Sequence, residues 1–207
     1  MTTETTRITG GDLAALVGSR LCHDLVSPLG AIGNGVELLE MSPDFPGLSA
    51  APEMALIAES IAAARARIQA FRMAFGSAAP DQRVGGAELS QLLAGLSAQG
   101  RLRLELNASG DFARPDVRML ILAVMCLETG LPWGGRVIIL HTAPGWRLVA
   151  EATRTRPDPA LWAWLGGENA RSPVASEVHF PLLAEAARQA GRVMEWELDE
   201  TGAEIRF

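Results

Sequence analysis

The chain has 207 residues and a formal net charge of −6, so it is long enough for one large domain or two small ones. Its 48% hydrophobic and 20% charged residues are typical of a globular protein, and its pI of about 5.1 argues against a nucleic-acid backbone as the main partner. All 18 basic residues are arginines, which excludes a Walker-A phosphate loop, a Schiff-base lysine and a lysine general base.

The cysteines and the apolar segments exclude further classes of protein. Cys22 and Cys126 are isolated, so neither a zinc ribbon nor a redox pair is encoded. The N-terminus has no apolar signal segment. The longest apolar run, from Met119 to Leu127, is far shorter than the roughly 20 residues of a membrane span. We therefore expect a cytoplasmic chain with no membrane partner.

The first part of the chain predicts a helical hairpin over residues 11–76. Residues 1–10 form a polar tail, and a helical pattern then runs from Asp12, a fair N-cap, to Met41. Two prolines and a glycine between Ser42 and Gly47 force a turn. A second helix starts near Ser49 and ends at Phe75, where Gly76 stops it.

Both predicted helices carry an apolar seam. The second helix repeats apolar residues in alternating steps of three and four: Met54, Ile57, Ile61, Ala64, Ile68, Phe71 and Phe75. The first helix has a similar spacing at Leu21, Leu25, Ile32, Val36 and Leu39. One hairpin cannot enclose both seams, whereas two hairpins can do so in a four-helix bundle. The pattern thus predicts a homodimer.

The rest of the chain predicts a mixed domain behind a linker. Residues 77–87 are rich in small residues and glycine and are interpreted as the linker. Residues 88–207 mix helical segments at 88–98, 115–129 and 174–190 with strands at 101–107, 136–141, 146–152, 192–198 and 203–207. The fold class is then α+β, with the helical hairpin followed by an α/β sandwich.

His23 is the residue whose position suggests chemistry. At about 100° per residue, the apolar seam of the first helix lies roughly 160–220° from His23, so the imidazole faces solvent. Small or weakly polar residues share its face: Ser27, Gly30, Ala31 and Asn34. Such a strip lets a partner's backbone approach closely, although an ordinary surface histidine on a glycine-rich helix would look the same. Pro28 within the helix, at a cost of about 3 kcal/mol, and the adjacent Asp24 favour an exposed nitrogen nucleophile.

A short motif around His23 carries a family resemblance. Residues 21–29 read Leu-Cys-His-Asp-Leu-Val-Ser-Pro-Leu, which resembles the H-box of histidine kinases. The longer segment from Arg20, continuing Gly-Ala-Ile-Gly-Asn-Gly-Val-Glu-Leu-Leu after Leu29, resembles the ChpT-type dimeric histidine phosphotransferases of alphaproteobacterial phosphorelays. This resemblance implies that residues 88–207 form a degenerate ATPase-like domain.

The resemblance also implies an activity. His23 would take a phosphoryl group from the aspartyl phosphate of one response-regulator receiver domain, such as that of a hybrid histidine kinase, and pass it to another receiver. Asp24 would orient or assist His23, and the receiver would supply Mg²⁺, so no metal site is expected in this chain. Contacts to the receiver would come from one set of α-helical residues: Arg20, Ser27, Pro28, Ala31, Asn34 and Leu38.

Two alternatives stay open. An ATP-dependent histidine kinase would need an asparagine-rich helix, an Asp-x-Gly-x-Gly box and a glycine-rich lid, but residues 118–129 contain no asparagine and no such box occurs. We therefore expect no bound cofactor and no ATP-dependent kinase activity. A non-catalytic dimeric scaffold that binds a receiver or kinase is the other alternative, and replacement of His23 separates it from a transferase.

Overall fold

The computed structural model describes residues 9–79, 81–142, 145–168 and 170–207, which form two compact units divided between Ser77 and Ala78. Most of the predicted polar tail lies outside the described residues, and so does Pro144 in the turn between two predicted strands. None of the described helices is both long enough and apolar enough to cross a bilayer.

The first unit is a helical hairpin. Helix α1 spans Gly10–Met41 and helix α2 spans Pro52–Phe75, with a short 3-10 helix at Leu48–Ala50 between them. Helix α1 begins before Asp12, which is therefore not its N-cap. Helix α2 begins at Pro52 rather than near Ser49, because proline has no backbone N–H to satisfy and suits the first helical position.

The two helices pack through a face of α1 that the sequence did not single out. The buried residues of α1 are Cys22 and Gly33, whereas Leu21, Leu25 and Ile32 are 58%, 52% and 53% exposed. A seam left exposed by one hairpin is what the sequence pattern implies, and its enclosure by a second hairpin in a four-helix bundle stays a prediction. Small residues let the helices approach closely, so the larger apolar side chains are left on the surface.

Helix α2 divides its heptad seam between two environments. Met54, Ile61 and Ile68, which are spaced seven residues apart, are buried in the hairpin. Ile57 belongs to the alternate positions of the seam and is 43% exposed. Met54, Ile61 and Ile68 therefore pack within the chain, whereas Ile57 adds an exposed apolar side chain to the hairpin.

The second unit is a five-stranded sheet with helices packed on one face. Its helices are α3 (Gly86–Gln99), α4 (Arg114–Gly130), α5 (Pro159–Trp162) and α6 (His179–Gln189). Its strands are β1 (Arg83–Gly85), β2 (Leu102–Asn107), β3 (Asp111–Ala113), β4 (Gly135–Thr142), β5 (Gly145–Glu151), β6 (Glu195–Leu198) and β7 (Gly202–Arg206). The main sheet has the order β2-β4-β5-β7-β6, in which only β2 and β4 run parallel.

The core of this unit lies between the sheet and α4. The apolar run from Met119 to Leu127 is buried throughout, and the inward residues of the central strands, Ile139, Leu148 and Ile205 among them, are also buried. Side chains alternate across a strand, so the opposite face carries charges. On that face Arg136 binds Glu105 and Arg147 binds Glu204, each with two hydrogen bonds. The α+β fold class is confirmed.

Three details differ from the predicted elements. Residues 83–85 of the predicted linker form β1, which pairs antiparallel with β3. The predicted helix at 174–190 is divided into a 3-10 helix at Ala175–Glu177 and α6. Helix α5 was not predicted; it begins after Asp158, whose carboxylate accepts a hydrogen bond from the backbone N–H of Leu161. Short elements of this kind lack a long hydrophobic period, so the pattern does not reveal them.

Candidate functional site

His23 stands out from α1 into solvent. Its side chain is 82% exposed, as the helical geometry predicts. The preceding residue, Cys22, points in another direction and is buried. Burial raises the pKa of the Cys22 thiol, so this group stays protonated and does not act as a second nucleophile beside the imidazole.

The imidazole of His23 contacts Asp24, and Asp24 in turn contacts Arg20. Nδ1 of His23 lies 3.1 Å from Oδ1 of Asp24. The other carboxylate oxygen of Asp24 accepts a hydrogen bond from Nε of Arg20 at 2.7 Å. Arg20 and Asp24 are four residues apart and therefore adjacent on one face of the helix. The three side chains form a chain of contacts that ends at the imidazole.

The electrostatics of this group fix which nitrogen of His23 is available. The hydrogen bond from His23, followed by that from Arg20, lowers the pKa of Asp24, so its carboxylate stays ionised at neutral pH. An ionised carboxylate only accepts hydrogen bonds, so Nδ1 carries the proton. The lone pair is then on Nε2 of an exposed ring. The arrangement leaves Nε2 of the exposed ring as the nitrogen that can act as a nucleophile.

The predicted receiver-binding residues lie along the exposed surface of α1. Ser27, Ala31, Asn34 and Leu38 follow His23 at steps of three or four residues and are all exposed. Pro28 is exposed too, and α1 continues through it to Met41. Arg20 was predicted only as a partner-binding residue, and its bond to Asp24 gives it a place beside His23. The four-residue spacing was the signal for that ion pair.

Sequence reasoning missed Arg65 on α2. Its Nη2 donates to the backbone carbonyls of Leu29 at 3.4 Å and Gly30 at 3.2 Å. A Cβ atom on Gly33 would lie only 2.8 Å from Cζ of Arg65, so the glycine makes room for the guanidinium. Glycine inside a helix is unfavourable, and this was the one sequence signal of a close approach.

In the second unit, the C-terminal end of α4 packs against large side chains. The hydroxyl of Thr129 lies 3.0 Å from Nε2 of the buried His179. A Cβ atom on Gly130 would lie 2.9 Å from the indole of Trp162. Among the residues that the structure describes, no group of three or more histidine, cysteine or acidic side chains could hold a metal ion.

Comparison with known proteins gives one family and several similar structures. The family described as "Histidine phosphotransferase C-terminal domain" matches residues 86–202. Protein phosphotransferase ChpT of Brucella abortus (strain 2308) is 52% identical over 67 residues, 32% of this chain and 30% of that protein. The similar region thus spans less than a third of the relative's length.

Two solved structures share the fold. A bacterial phosphotransferase solved at 1.7 Å superposes with a TM-score of 0.66 at 22% identity, covering 97% of this chain and 98% of its own. Full-length ShkA in complex with AMPPNP superposes with a TM-score of 0.50 at 13% identity, covering 94% of this chain and 45% of its own. At such identity these likenesses show the fold alone. Because the family match extends over more than half of the 207 residues, the chain belongs to the histidine phosphotransferase family.

Proposed function

We propose that this chain is a histidine phosphotransferase that carries a phosphoryl group on His23 between receiver aspartates. The observation that supports this most is the exposed imidazole whose Nδ1 is bound to the Asp24 carboxylate. Nε2 is thereby free to react, on a helix face with little side-chain bulk. Membership of the histidine phosphotransferase family supports the same activity.

The transfer step uses the lone pair of Nε2. It attacks the phosphorus of an aspartyl phosphate on the receiver, a P–N bond forms, and the P–O bond to the aspartate breaks. The aspartate leaves as a carboxylate. Positive charge that develops on the imidazole is balanced by Asp24, which stays ionised because Arg20 and His23 lower its pKa. The reverse step delivers the phosphoryl group to the next aspartate.

The partners we propose are receiver domains of response regulators, with a hybrid histidine kinase as donor. A receiver would dock along Arg20, Ser27, Pro28, Ala31, Asn34 and Leu38, whose exposure supports this surface. Phosphoryl transfer of this kind relies on in-line positioning and on Mg²⁺. We assign the metal to the acidic pocket of the receiver, and a cytoplasmic location suits such partners.

We also propose a homodimer formed by two hairpins. The exposed leucines and isoleucine of α1, together with Ile57 of α2, give an apolar surface that water disfavours. A second copy presents the same surface, so a two-fold arrangement buries both at once. The alternating heptad spacing of α2 supports a four-helix bundle as the form of this contact.

We propose further that the second unit does not use ATP. The buried helix α4 has no asparagine between Arg118 and Thr129, the segment expected to carry the Mg²⁺-binding asparagines of an ATP-dependent kinase. The end of α4 packs against Trp162 and His179. An ATP-dependent kinase and a non-catalytic scaffold are the functions that the following experiment separates from a transferase.

The test measures label transfer to the purified protein and to a His23→Ala variant. A panel of ³²P-phosphorylated receiver domains with Mg²⁺ is mixed with each, in parallel with γ-labelled ATP. We expect the wild-type protein to take acid-labile, base-stable label from a receiver and none from ATP. The variant loses this transfer completely, because no other exposed nitrogen nucleophile sits in the site. Circular dichroism checks that the variant retains its helices.

Other results contradict the proposal in distinct ways. Label from ATP on His23 would indicate a kinase. Labelled variant protein would move the chemistry away from His23. If no receiver labels the wild-type protein while a receiver still binds it, the scaffold is the better explanation.

A further inference from the structure

Arg65 crosses from α2 to the backbone of α1 at a defined place. Its Nη2 atom donates to two successive carbonyls, those of Leu29 and Gly30, directly after Pro28. These contacts are partly buried in the hairpin. A guanidinium bound to two carbonyls of another helix fixes the height and the rotation of that helix relative to its own.

Arg65 contacts a segment of α1 that is weakened as a helix by its own sequence. Pro28 has no N–H, so the carbonyl of Asp24 loses its helical donor. Gly30, Gly33 and Gly35 follow, and glycine is the poorest helix former after proline. This segment nevertheless carries most of the docking strip, the exposed residues Ser27, Ala31, Asn34 and Leu38 of the proposed receiver surface. It faces the same way as His23, since Gly30 lies only about 20° from His23 around the helix.

The room for the guanidinium depends on Gly33. A Cβ atom there would come within 2.8 Å of Cζ of Arg65 and closer still to its Nη2. An alanine at this position would therefore displace the guanidinium from the two carbonyls. Gly33 and Arg65 act as a pair. The glycine weakens the helix but leaves the space in which the arginine reaches the backbone of α1.

We propose that Arg65 is a positioning residue for phosphoryl transfer, which holds the α1 segment after Pro28 so that the docking strip and His23 meet the receiver together. This inference rests on the proposed function. Arg65 does not touch the reacting atoms. It acts through the placement of α1, and a displacement of about 1 Å at the reacting atoms can slow a reaction about a hundredfold.

The test compares Arg65→Met, which keeps an apolar stem but removes the donors, with Arg65→Lys, which keeps a cationic donor. Arg67→Met is the matched control, because Arg67 is an exposed residue on the same helix, with its guanidinium 5.6 Å from the Phe71 ring. Each variant receives label from a saturating phosphorylated receiver and, separately, from phosphoramidate. Phosphoramidate phosphorylates an exposed imidazole with loss of ammonia and needs no docking.

We expect Arg65→Met to slow receiver-dependent transfer about tenfold or more, with Arg65→Lys restoring part of the rate. Labelling by phosphoramidate should stay within about twofold of wild type in every variant, because the exposure of His23 is unchanged. Arg67→Met should transfer at the wild-type rate. All rates are measured well below the unfolding temperature, so a loss of stability alone does not produce this pattern.

A double-mutant cycle with Gly33→Ala adds a second readout. In the wild-type background the alanine should slow transfer by as much as Arg65→Met does, because it displaces the same contact. In the Arg65→Met background the alanine should have no further effect on the rate. Equal effects of the alanine in both backgrounds would contradict the inference that Gly33 acts through Arg65.

The outcomes separate this inference from the function on which it rests. If wild-type protein accepts label from no receiver, the proposed function fails. If wild-type protein transfers and Arg65→Met matches it, the positioning role alone is wrong. If Arg65→Met slows phosphoramidate labelling equally, Arg65 acts on the reactivity of His23 itself, and the docking explanation is overturned.

Discussion

The reactivity that we propose for His23 depends on side chains of the same helix. Asp24 takes the hydrogen bond from Nδ1, and Arg20 holds the second oxygen of that carboxylate. All three side chains are substantially exposed, so water screens their attraction and the contacts orient more than they stabilise. Orientation is what a nucleophilic imidazole requires, because only one of its nitrogens can carry the lone pair.

Asp24→Asn tests the role of the charge. Asparagine can still accept a hydrogen bond from Nδ1, but it leaves the positive charge on the imidazole unbalanced. We expect transfer from a receiver to slow about tenfold, the loss that a charge-assisted hydrogen bond implies. Labelling by a saturating phosphorylated receiver, quenched at a series of times, measures the rate.

The pH profile distinguishes this role from a structural one. Because the pKa of Asp24 lies below its ordinary value, the carboxylate is ionised throughout the range from about pH 5 to 8. Protonation of Asp24 should therefore add no pH dependence to the ratio of wild-type to variant rates across that range. A ratio that falls toward one at pH 5 would show that Asp24 is already neutral there, contrary to the geometry.

At the residue scale the sequence predicts local relations well. The exposure of His23 follows from its place around the helix, and the contact of Arg20 with Asp24 follows from their four-residue spacing. Arg65 could not be predicted, because its contact joins residues 35 or 36 positions apart. Such a contact depends on the separation and the rotation of two helices, which side-chain volumes on both set together.

At the scale of elements, α1 has three faces with different surroundings. Cys22 and Gly33 pack within the hairpin, His23 faces solvent, and Leu21, Leu25 and Ile32 form an exposed apolar surface. The sequence predicted the positions of these residues around the helix and assigned them to the core of a bundle formed by two hairpins. A helical period identifies an apolar face but does not say which molecule covers it.

The apolar face yields a prediction about association. Leu25→Asp should convert the proposed dimer to a monomer, since each buried leucine contributes about 1.5–3 kcal/mol and symmetry counts it twice. The dissociation constant should rise at least about a hundredfold. Light scattering across a concentration series measures it.

Leu38→Asp is the matched control for this experiment. Leu38 is also an exposed leucine of α1, but it lies about 60° from His23 and away from the apolar seam. Its substitution should leave the mass unchanged. A wild-type protein that is already monomeric at micromolar concentration would refute the four-helix bundle.

At the scale of the whole molecule, the two units are built by different means. The hairpin relies on close helix packing, whereas the second unit has a continuous core around α4 and a cluster of ion pairs near α6. In that cluster Arg171 donates to both oxygens of Glu177 and to Asp158, which caps α5. One arginine therefore ties the segment before α6 to the start of α5.

This cluster predicts how the second unit responds to acid. The hydrogen bonds from Arg171 lower the pKa of Glu177 to about 2. A carboxylate with a lowered pKa stabilises the fold above its unfolded pKa of about 4.3, and this contribution is lost as pH falls toward 2. Urea unfolding between pH 7 and 2.5 should show this loss for the wild-type protein.

Glu177→Gln provides the comparison. The variant should be less stable than wild type at pH 7, and its stability should change less between pH 5 and 2.5. Identical pH dependence of the two proteins would mean that the ion pair contributes nothing to folding in solution. The sequence predicted neither the cluster nor α5, because Arg171, Glu177 and Asp158 meet only after an irregular segment folds.

If His23 carries the phosphoryl group, as we propose, its exposure also limits how long that group is held. A phosphoryl group on Nε2 would stand in bulk water, because solvent reaches most of the ring. The lifetime of its P–N bond is then that of an ordinary phosphohistidine, and the hairpin does nothing to lengthen it. The chain is suited to brief occupancy rather than to storage. In the proposed relay the phosphoryl group is passed on only if an acceptor aspartate arrives before hydrolysis, so the supply of receivers would set the timing.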